Sequence, residues 1–211
     1  MPPAQSDIEA ARARLVEMTC ALIEERGGQA LTMQEVALRA GMSPAQVQRY
    51  FESREALLEA VAEYWFRPKV AIMEDVVACD LPPRRKMYEF FARRFVMMRD
   101  AYRADPVAHG MYVELGNEYF EQVRSYVDLA DHYLSMIIAE AMGEGFFAGL
   151  EIDMALSLIN QMVAPYCNIG VMGILMDRLT EEKLARIIDA AFDGLSAQDR
   201  GAMGVSGLRA A

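Results

Sequence analysis

An all-α fold in two parts is what this sequence predicts, and three features predict it. Apolar residues recur at helical spacing along most of the chain, and no stretch alternates with the period of two that a half-buried strand requires. Helix-start signals stand at Thr32 and Ser43, each followed three residues later by Glu35 or Gln46, with Gly41 between them. With 54% of its 211 residues apolar and 9% aromatic, the chain carries enough buriable surface for a substantial core and does not have the composition of a disordered one.

Met1 to Gln5 form a loose tail, and Ser6 with Glu9 starts the first helix, in which Leu15, Met18, Leu22 and Ile23 keep helical spacing to Arg26. Gly27 and Gly28 close it. Thr32 and Glu35 form a capping box for a second helix, which ends near Ala40 because Gly41 enters the left-handed region without a Cβ clash. Ser43 then caps a third helix, with Pro44 at its first position, where a missing N–H costs nothing, and Gln46 completing the box. Val36, Ala37 and Ala40 line one face of this hairpin, Val47, Tyr50 and Phe51 the other, and Met42 plugs the turn. The outer face carries Pro44, Ala45, Gln46, Gln48 and Arg49, the layout of a helix-turn-helix whose second helix enters a major groove.

Ser53 caps a fourth helix with Leu57, Leu58, Val61, Tyr64 and Trp65 on one side. Pro68 is predicted to kink or interrupt it before the pattern resumes at Val70, Ile72, Met73 and Val76. A break at Asp80 to Pro83 precedes a helix running to about Ala104, with Met87, Phe90, Phe91, Phe95, Met98 and Tyr102 as its stripe. A shorter helix follows from Pro106 through Tyr112, ended by Gly116, and Asn117 caps a long helix that reaches Ala141. GEGFFAG, residues 143–149, follows a helix and fits no phosphate-loop spacing, so it reads as a turn. Met154 to Met176 is uncharged and long enough to span a bilayer, yet Asn160, Gln161, Pro165 and Asn168 interrupt it, which fits a helix buried in protein. Thr180 opens the last helix, with Leu184, Ile188, Ala191, Phe192 and Leu195 on its apolar face. The expected division is residues 1–53, 54–197 and a Gly- and Ala-rich disordered tail, 198–211.

Charge limits the function classes. Against 21 Lys plus Arg stand 31 Asp plus Glu, a net charge of −10, which disfavours indiscriminate binding to polyanions. Even residues 1–67 are net acidic, with 7 basic and 10 acidic residues, although Arg12, Arg14, Arg39, Arg49 and Arg54 fall where they can gather on one side. Binding to nucleic acid would therefore depend strongly on salt. Three scattered cysteines show neither metal spacing nor a disulfide framework, and no basic stretch followed by an apolar run opens the chain, so a reducing cytoplasm is expected. Asp105 with His109 and Asp128 with His132 are helical pairs rather than metal sites, and no nucleophile elbow is present. No catalytic residue, metal or cofactor is expected.

Helix, Gly, Thr-capped helix, Gly turn, Ser-capped helix, the aromatic pair Tyr50–Phe51 and a basic residue before Glu-x-Leu closely resemble the N-terminal domain of the tetracycline-repressor (TetR) family over residues 10–65. That resemblance implies an N-terminal three-helix helix-turn-helix DNA-binding domain and a C-terminal helical ligand-binding and dimerisation domain. It implies a homodimeric bacterial transcriptional regulator in which Thr32, Ser43, Pro44, Ala45, Gln46, Gln48, Arg49, Tyr50 and Arg54 touch double-stranded operator DNA. Gln48 stands where the family usually has a phosphate-contacting Tyr, Ala45 where Gly is frequent, and Arg54 where Lys is commoner. Gln48 suits adenine N6 and N7, and Arg49 suits guanine or phosphate.

By the same resemblance Phe91, Phe95, Met98, Tyr102, Tyr112, Tyr126, Met162 and Tyr166 fall on the helices that enclose a ligand cavity. Met and Tyr suit a small apolar or aromatic effector, and the acidic balance tilts towards a cationic one. The apolar surface of the last two helices points to a symmetric four-helix interface with Ile159, Val163, Met172, Leu184, Ile188, Ala191 and Leu195. The expected function is a repressor released from DNA by its effector. The rival is a small helical enzyme or ligand carrier in which the hairpin is only structural.

Overall fold

The computed structural model describes residues 5–26, 31–106, 116 and 120–196, the side chains at 120 and 122 excepted, and every regular element among them is helical. In order these are α1 (Gln5–Glu25), α2 (Met33–Ala40), α3 (Pro44–Val47), α4 (Arg54–Ala78), α5 (Pro83–Ala104), α6 (Phe120–Gly143), α7 (Ile152–Cys167), α8 (Ile169–Leu175) and α9 (Glu181–Leu195). A short 3-10 turn, Met176–Arg178, precedes α9. The expected glycine stop at residues 27 and 28, the short helix through Tyr112, the Asn117 cap and the 198–211 tail lie outside the described residues.

Two compact units share the chain: Met1–Ala71 with Met98–Ala130, and Ile72–Met97 with Asp131–Ala211. In the first, Leu15, Val16, Cys20 and Ile23 of α1 pack with Leu31, Val36, Ala37, Val47 and Phe51, and the same core takes in Leu57 and Val61 of α4. The core thus runs on past residue 53, because the hairpin alone has too little apolar surface to close over Phe51. Within this unit Phe66 stacks on Tyr126 with ring centroids 4.0 Å apart.

The second unit is built on Met87, Phe90, Phe91 and Phe95 of α5, Leu134, Ile137 and Ile138 of α6, Ile159, Val163 and Tyr166 of α7, and Leu184, Ile188 and Phe192 of α9, all buried. Phe95 meets Tyr166 edge-on at 5.0 Å. Arg84 joins α5 to α9 through Asp189 at 3.3 Å and Asp193 at 2.6 Å, and buried Lys86 joins α5 to α6 through Glu140 at 2.8 Å. The segment 143–149 is a turn, as its glycines predict: Gly145 and Gly149 have φ of 91° and 75°. Phe147 also takes a positive φ, 56°. Its ring is buried 4.8 Å from that of Phe192 and its N–H donates to Ser196 Oγ, contacts that offset the backbone strain.

Two points, one that the sequence left open and one that it misread, have physical causes. Pro68 neither ends nor interrupts α4, which continues from Arg54 to Ala78. Buried Leu57, Leu58 and Val61 before the proline and Met73 and Val76 after it hold both halves helical despite the lost N–H. The uncharged segment is not one rod: Asn168 ends α7, then caps α8 by accepting the Val171 N–H at 3.1 Å, and the two helices meet at 56°. Among the described residues no single helix is long and apolar enough to cross a membrane.

Candidate nucleic-acid interface

Two reciprocal caps build the hairpin. Thr32 Oγ1 accepts the Glu35 N–H at 3.3 Å, and the Glu35 carboxylate accepts the Thr32 N–H at 2.8 Å. Ser43 Oγ accepts the Gln46 N–H at 3.3 Å, while Gln46 Oε1 accepts the Ser43 N–H at 2.8 Å. Between them Gly41, at φ 64° and ψ 28°, closes α2 in the left-handed conformation. Each link satisfies donors that a helix start leaves unpaired, so the starts of α2 and α3 and the turn between them are defined by local contacts.

The regular part of α3 is short, Pro44–Val47, and turns carry the chain on to Tyr50. Val47 and Phe51 are buried beneath it. Ser43, Pro44, Ala45, Gln46, Gln48 and Arg49 are exposed, as is Thr32, whereas Tyr50 and Arg54 are half-buried. The hairpin thus separates its sequence into a buried floor and a polar outer face.

The arginines divide by partner. Arg39 pairs with Glu25, and Arg26 pairs with Glu35 at 2.5 Å, so both charges are locally neutralised. Arg12 instead donates to the Tyr50 carbonyl and lies 4.3 Å from the Phe51 ring centroid, and Arg54 Nε donates to the Leu31 carbonyl. A carbonyl does not cancel a guanidinium charge, so Arg12 braces the hairpin without losing its own, while Arg54 braces the start of α4 with Glu55 beside it. The Arg49 side chain makes no hydrogen bond or ion pair with a described residue; its backbone N–H donates to the Gln46 carbonyl at 3.2 Å. The positive edge therefore draws chiefly on Arg12 and Arg49, and Arg39 leaves the set that sequence position suggested. The bracing by Arg12 and Arg54 was not visible in sequence, because a backbone acceptor leaves no residue-type signal.

Hydrogen bonds from the Thr32 backbone and hydroxyl, with Arg26 beside them, hold the Glu35 carboxyl below the ordinary carboxylate range. Beneath the hairpin, burial pushes the Cys20 thiol up to about 12, reinforced by the nearby Glu24 charge.

The other expected residues lie elsewhere. Phe91, Phe95 and Tyr166 are buried in the second unit, with Tyr166 Oη donating to the Thr180 carbonyl at 3.3 Å. Met162 is exposed in that unit, Met98 is buried and Tyr102 and Tyr126 half-buried in the first, and Tyr112 is outside the described residues. The proposed ligand residues thus divide between the two units. Of the interface set, Ile159, Val163, Met172, Leu184, Ile188 and Ala191 are buried within the protomer's own core and Leu195 is half-buried, so they offer little surface to a second copy. The apolar side chains left exposed on α7 and α8 are Ile152, Met154, Met162, Val171 and Ile174, the last 84% exposed. Helical periodicity identified the apolar faces correctly but could not say which face the protomer covers itself.

Residues 15–61 match the family of bacterial regulatory proteins named for tetR, and residues 83–188 match the tetracyclin repressor-like C-terminal domain. Over 163 residues the chain is 28% identical to an "Uncharacterized HTH-type transcriptional regulator in dhlA 5'region" of Xanthobacter autotrophicus, covering 72% of this chain and 74% of that one. The fold is shared with a Pseudomonas aeruginosa PAO1 protein (TM-score 0.67, 18% identity, 90% of this chain and 92% of that one). It is shared as well with FadR, the fatty acid degradation regulator of Bacillus halodurans (TM-score 0.58, 14% identity, 90% and 96%), and with PfmR of Thermus thermophilus (0.52, 19%, 85% and 97%). With the doubly capped hairpin at one end and the matched helical domain after it, this chain belongs to the tetR family, as a non-enzymatic DNA-binding regulator of transcription.

Proposed function

We propose that this regulator is a cytoplasmic repressor, working as a homodimer on operator DNA and released by a small hydrophobic or aromatic effector. The observation that carries the DNA half is the outer face of the hairpin, where Gln48 and Arg49 stand exposed on a turn whose caps are internally satisfied. A reading surface needs side chains that fold stability does not use, and these two fit that description. Gln48 matches adenine through N6 and N7; Arg49 matches guanine or a phosphate. Thr32 and Arg54, at the start of α2 and of α4, are the flanking backbone contacts.

Two such surfaces in a dimer must lie about 34 Å apart to meet successive major grooves. The exposed apolar residues of α7 and α8, Met154, Met162, Val171 and Ile174, are the surface we assign to the second copy. An effector that prefers a different spacing lowers DNA affinity by its differential affinity for the two forms. Moving the population almost completely requires about 5.5 kcal/mol of preference.

The test is a mobility shift with the DNA upstream of the chain's own gene, with unrelated competitor DNA, for wild type and Arg49→Ala. A shift that resists the competitor and is lost or weakened in the variant supports the reading. A shift removed equally by any DNA, or one unaffected by the substitution, refutes it.

A further inference from the structure

Arg94 lies in the interior of the second unit at 7% exposure, without an anionic partner among the described residues. Its Nε donates to the Phe90 carbonyl one turn back at 2.8 Å, and its guanidinium sits 4.0 Å from the Phe90 ring centroid and 5.4 Å from that of Phe91. It makes no ion pair with a described residue, whereas Arg84, Lys86 and Arg93 on the same helix each hold a carboxylate. Arginine cannot shed its proton to escape burial. Cation–π contact with phenylalanine recovers part of the cost of taking a charge out of water, and an ion pair or its equivalent is needed for the rest. Stacking alone does not balance the charge.

The unused part of the guanidinium has a direction. Nε is committed to Phe90, which leaves the two terminal nitrogens with no hydrogen bond to a described residue. No fully buried side-chain nitrogen or oxygen among the described residues lacks a partner, so these two retain accessible surface. Cys167, at the end of α7, feels both burial, which pushes its thiol up, and the Arg94 charge, which pulls the other way. The same residue nevertheless has free surface. Arg94 and Cys167 are thus neighbours, and each keeps some accessible surface.

We propose that Arg94 is the anion-binding residue of the effector site, and that the effector is a monocarboxylate with an apolar body. This rests on the ligand-responsive reading above. Two parallel terminal N–H groups match the two oxygens of one carboxylate, and a single cation with no carboxylate partner among the described residues matches a single negative charge better than it matches a phosphate. Phe90 and Phe91, with ring centroids 4.0 and 5.4 Å from the guanidinium, make its surroundings apolar. The net charge of −10 suggested a cationic effector, but a charge within hydrogen-bonding reach outweighs a dispersed, solvent-screened one.

The experiment is thermal unfolding of the full-length chain and of Arg94→Met, without ligand and with a series of probes: benzoate, phenylacetate and straight-chain carboxylates from butanoate to dodecanoate, each beside its neutral amide. Carboxylates are expected to raise the wild-type Tm, with the best one at least tenfold more potent than its amide and that difference lost in Arg94→Met. Ligand-free Arg94→Met is expected to melt at or above wild type, since an apolar side chain replaces an unpaired cation. Equal effects of acid and amide, no effect of any carboxylate, or a ligand-free variant melting several degrees lower would overturn the assignment, the last by making the guanidinium structural. A parallel mobility shift separates the two claims: if neutral compounds release DNA while carboxylates do not, only the Arg94 assignment fails. DNA binding indifferent to every compound fails the ligand-responsive reading with it.

Discussion

Glu35 shows how one side chain can carry both a fold and its pH dependence. Its carboxylate accepts from Thr32 and Arg26, and those bonds lower its folded pKa relative to the unfolded chain. A lowered folded pKa means stability that is present above the ordinary carboxylate range, about 4.3, and is lost as pH falls through the depressed folded value. Glu35→Gln should therefore flatten the acid limb of the stability curve between neutral pH and about pH 3, as melts across that range would reveal. Gly41 is a cleaner backbone test: an added Cβ meets nothing within 4 Å, so Gly41→Ala measures the cost of φ 64° alone. About 1 kcal/mol is expected, or a fall in Tm of roughly 2–4 °C for a chain of this size. Cys20, buried and with its thiol pushed up to about 12, should resist iodoacetamide at pH 8 in the native chain and react on unfolding. Thr32, Glu35, Gly41, Ser43 and Gln46 were all legible in sequence because each role is tied to a residue type at fixed spacing. The targets of Arg12, Arg54 and Arg94 were not, since backbone carbonyls and missing counter-ions leave no pattern.

At the scale of elements, α3 depends on its cap more than on its length. With Pro44–Val47 as its only regular turn, Ser43→Ala removes the hydroxyl half of its cap and leaves the Gln46 N–H only the Ser43 carbonyl at 3.0 Å. About 1 kcal/mol of stability should be lost, and DNA affinity should fall by more than that loss explains, because the Gln48–Arg49 surface loses its fixed orientation. α4 supplies the opposite case. It continues through Pro68 against its own sequence, so Pro68→Ala restores a backbone donor and should stabilise the chain by about 1–3 kcal/mol, visible as a raised Tm. The sequence pattern located the helices well and left Pro68 as a kink or an interruption; with burial on both sides of it, α4 is not interrupted. The pattern treated 154–176 as one helix because apolar composition hides the Asn168 cap that divides it.

At the scale of the whole molecule the question is how a chain with a net charge of −10 binds a polyanion. Local arrangement answers it: Arg26 and Arg39 are spent on Glu35 and Glu25, while Arg12 and Arg49 form no ion pair with a described residue and keep their charge around the hairpin. Affinity should accordingly fall steeply with salt, and if Arg49 contacts phosphate, Arg49→Ala should reduce the slope of log K against log salt by about 1. If Arg49 reads guanine instead, the slope should hold and affinity for the preferred sequence should fall about 10- to 100-fold. The second copy enters here too, and Ile174→Glu should yield monomers by sedimentation together with weaker DNA binding, since each monomer then holds only half the contacts. The most direct measurement is selection of bound sequences from a random DNA pool by wild type and by Gln48→Ala. The account predicts an enriched inverted repeat with half-sites about one DNA turn apart, and loss of preference in the variant at matching positions of each half. No enriched repeat, or the same repeat with the same preferences from the variant, would contradict it.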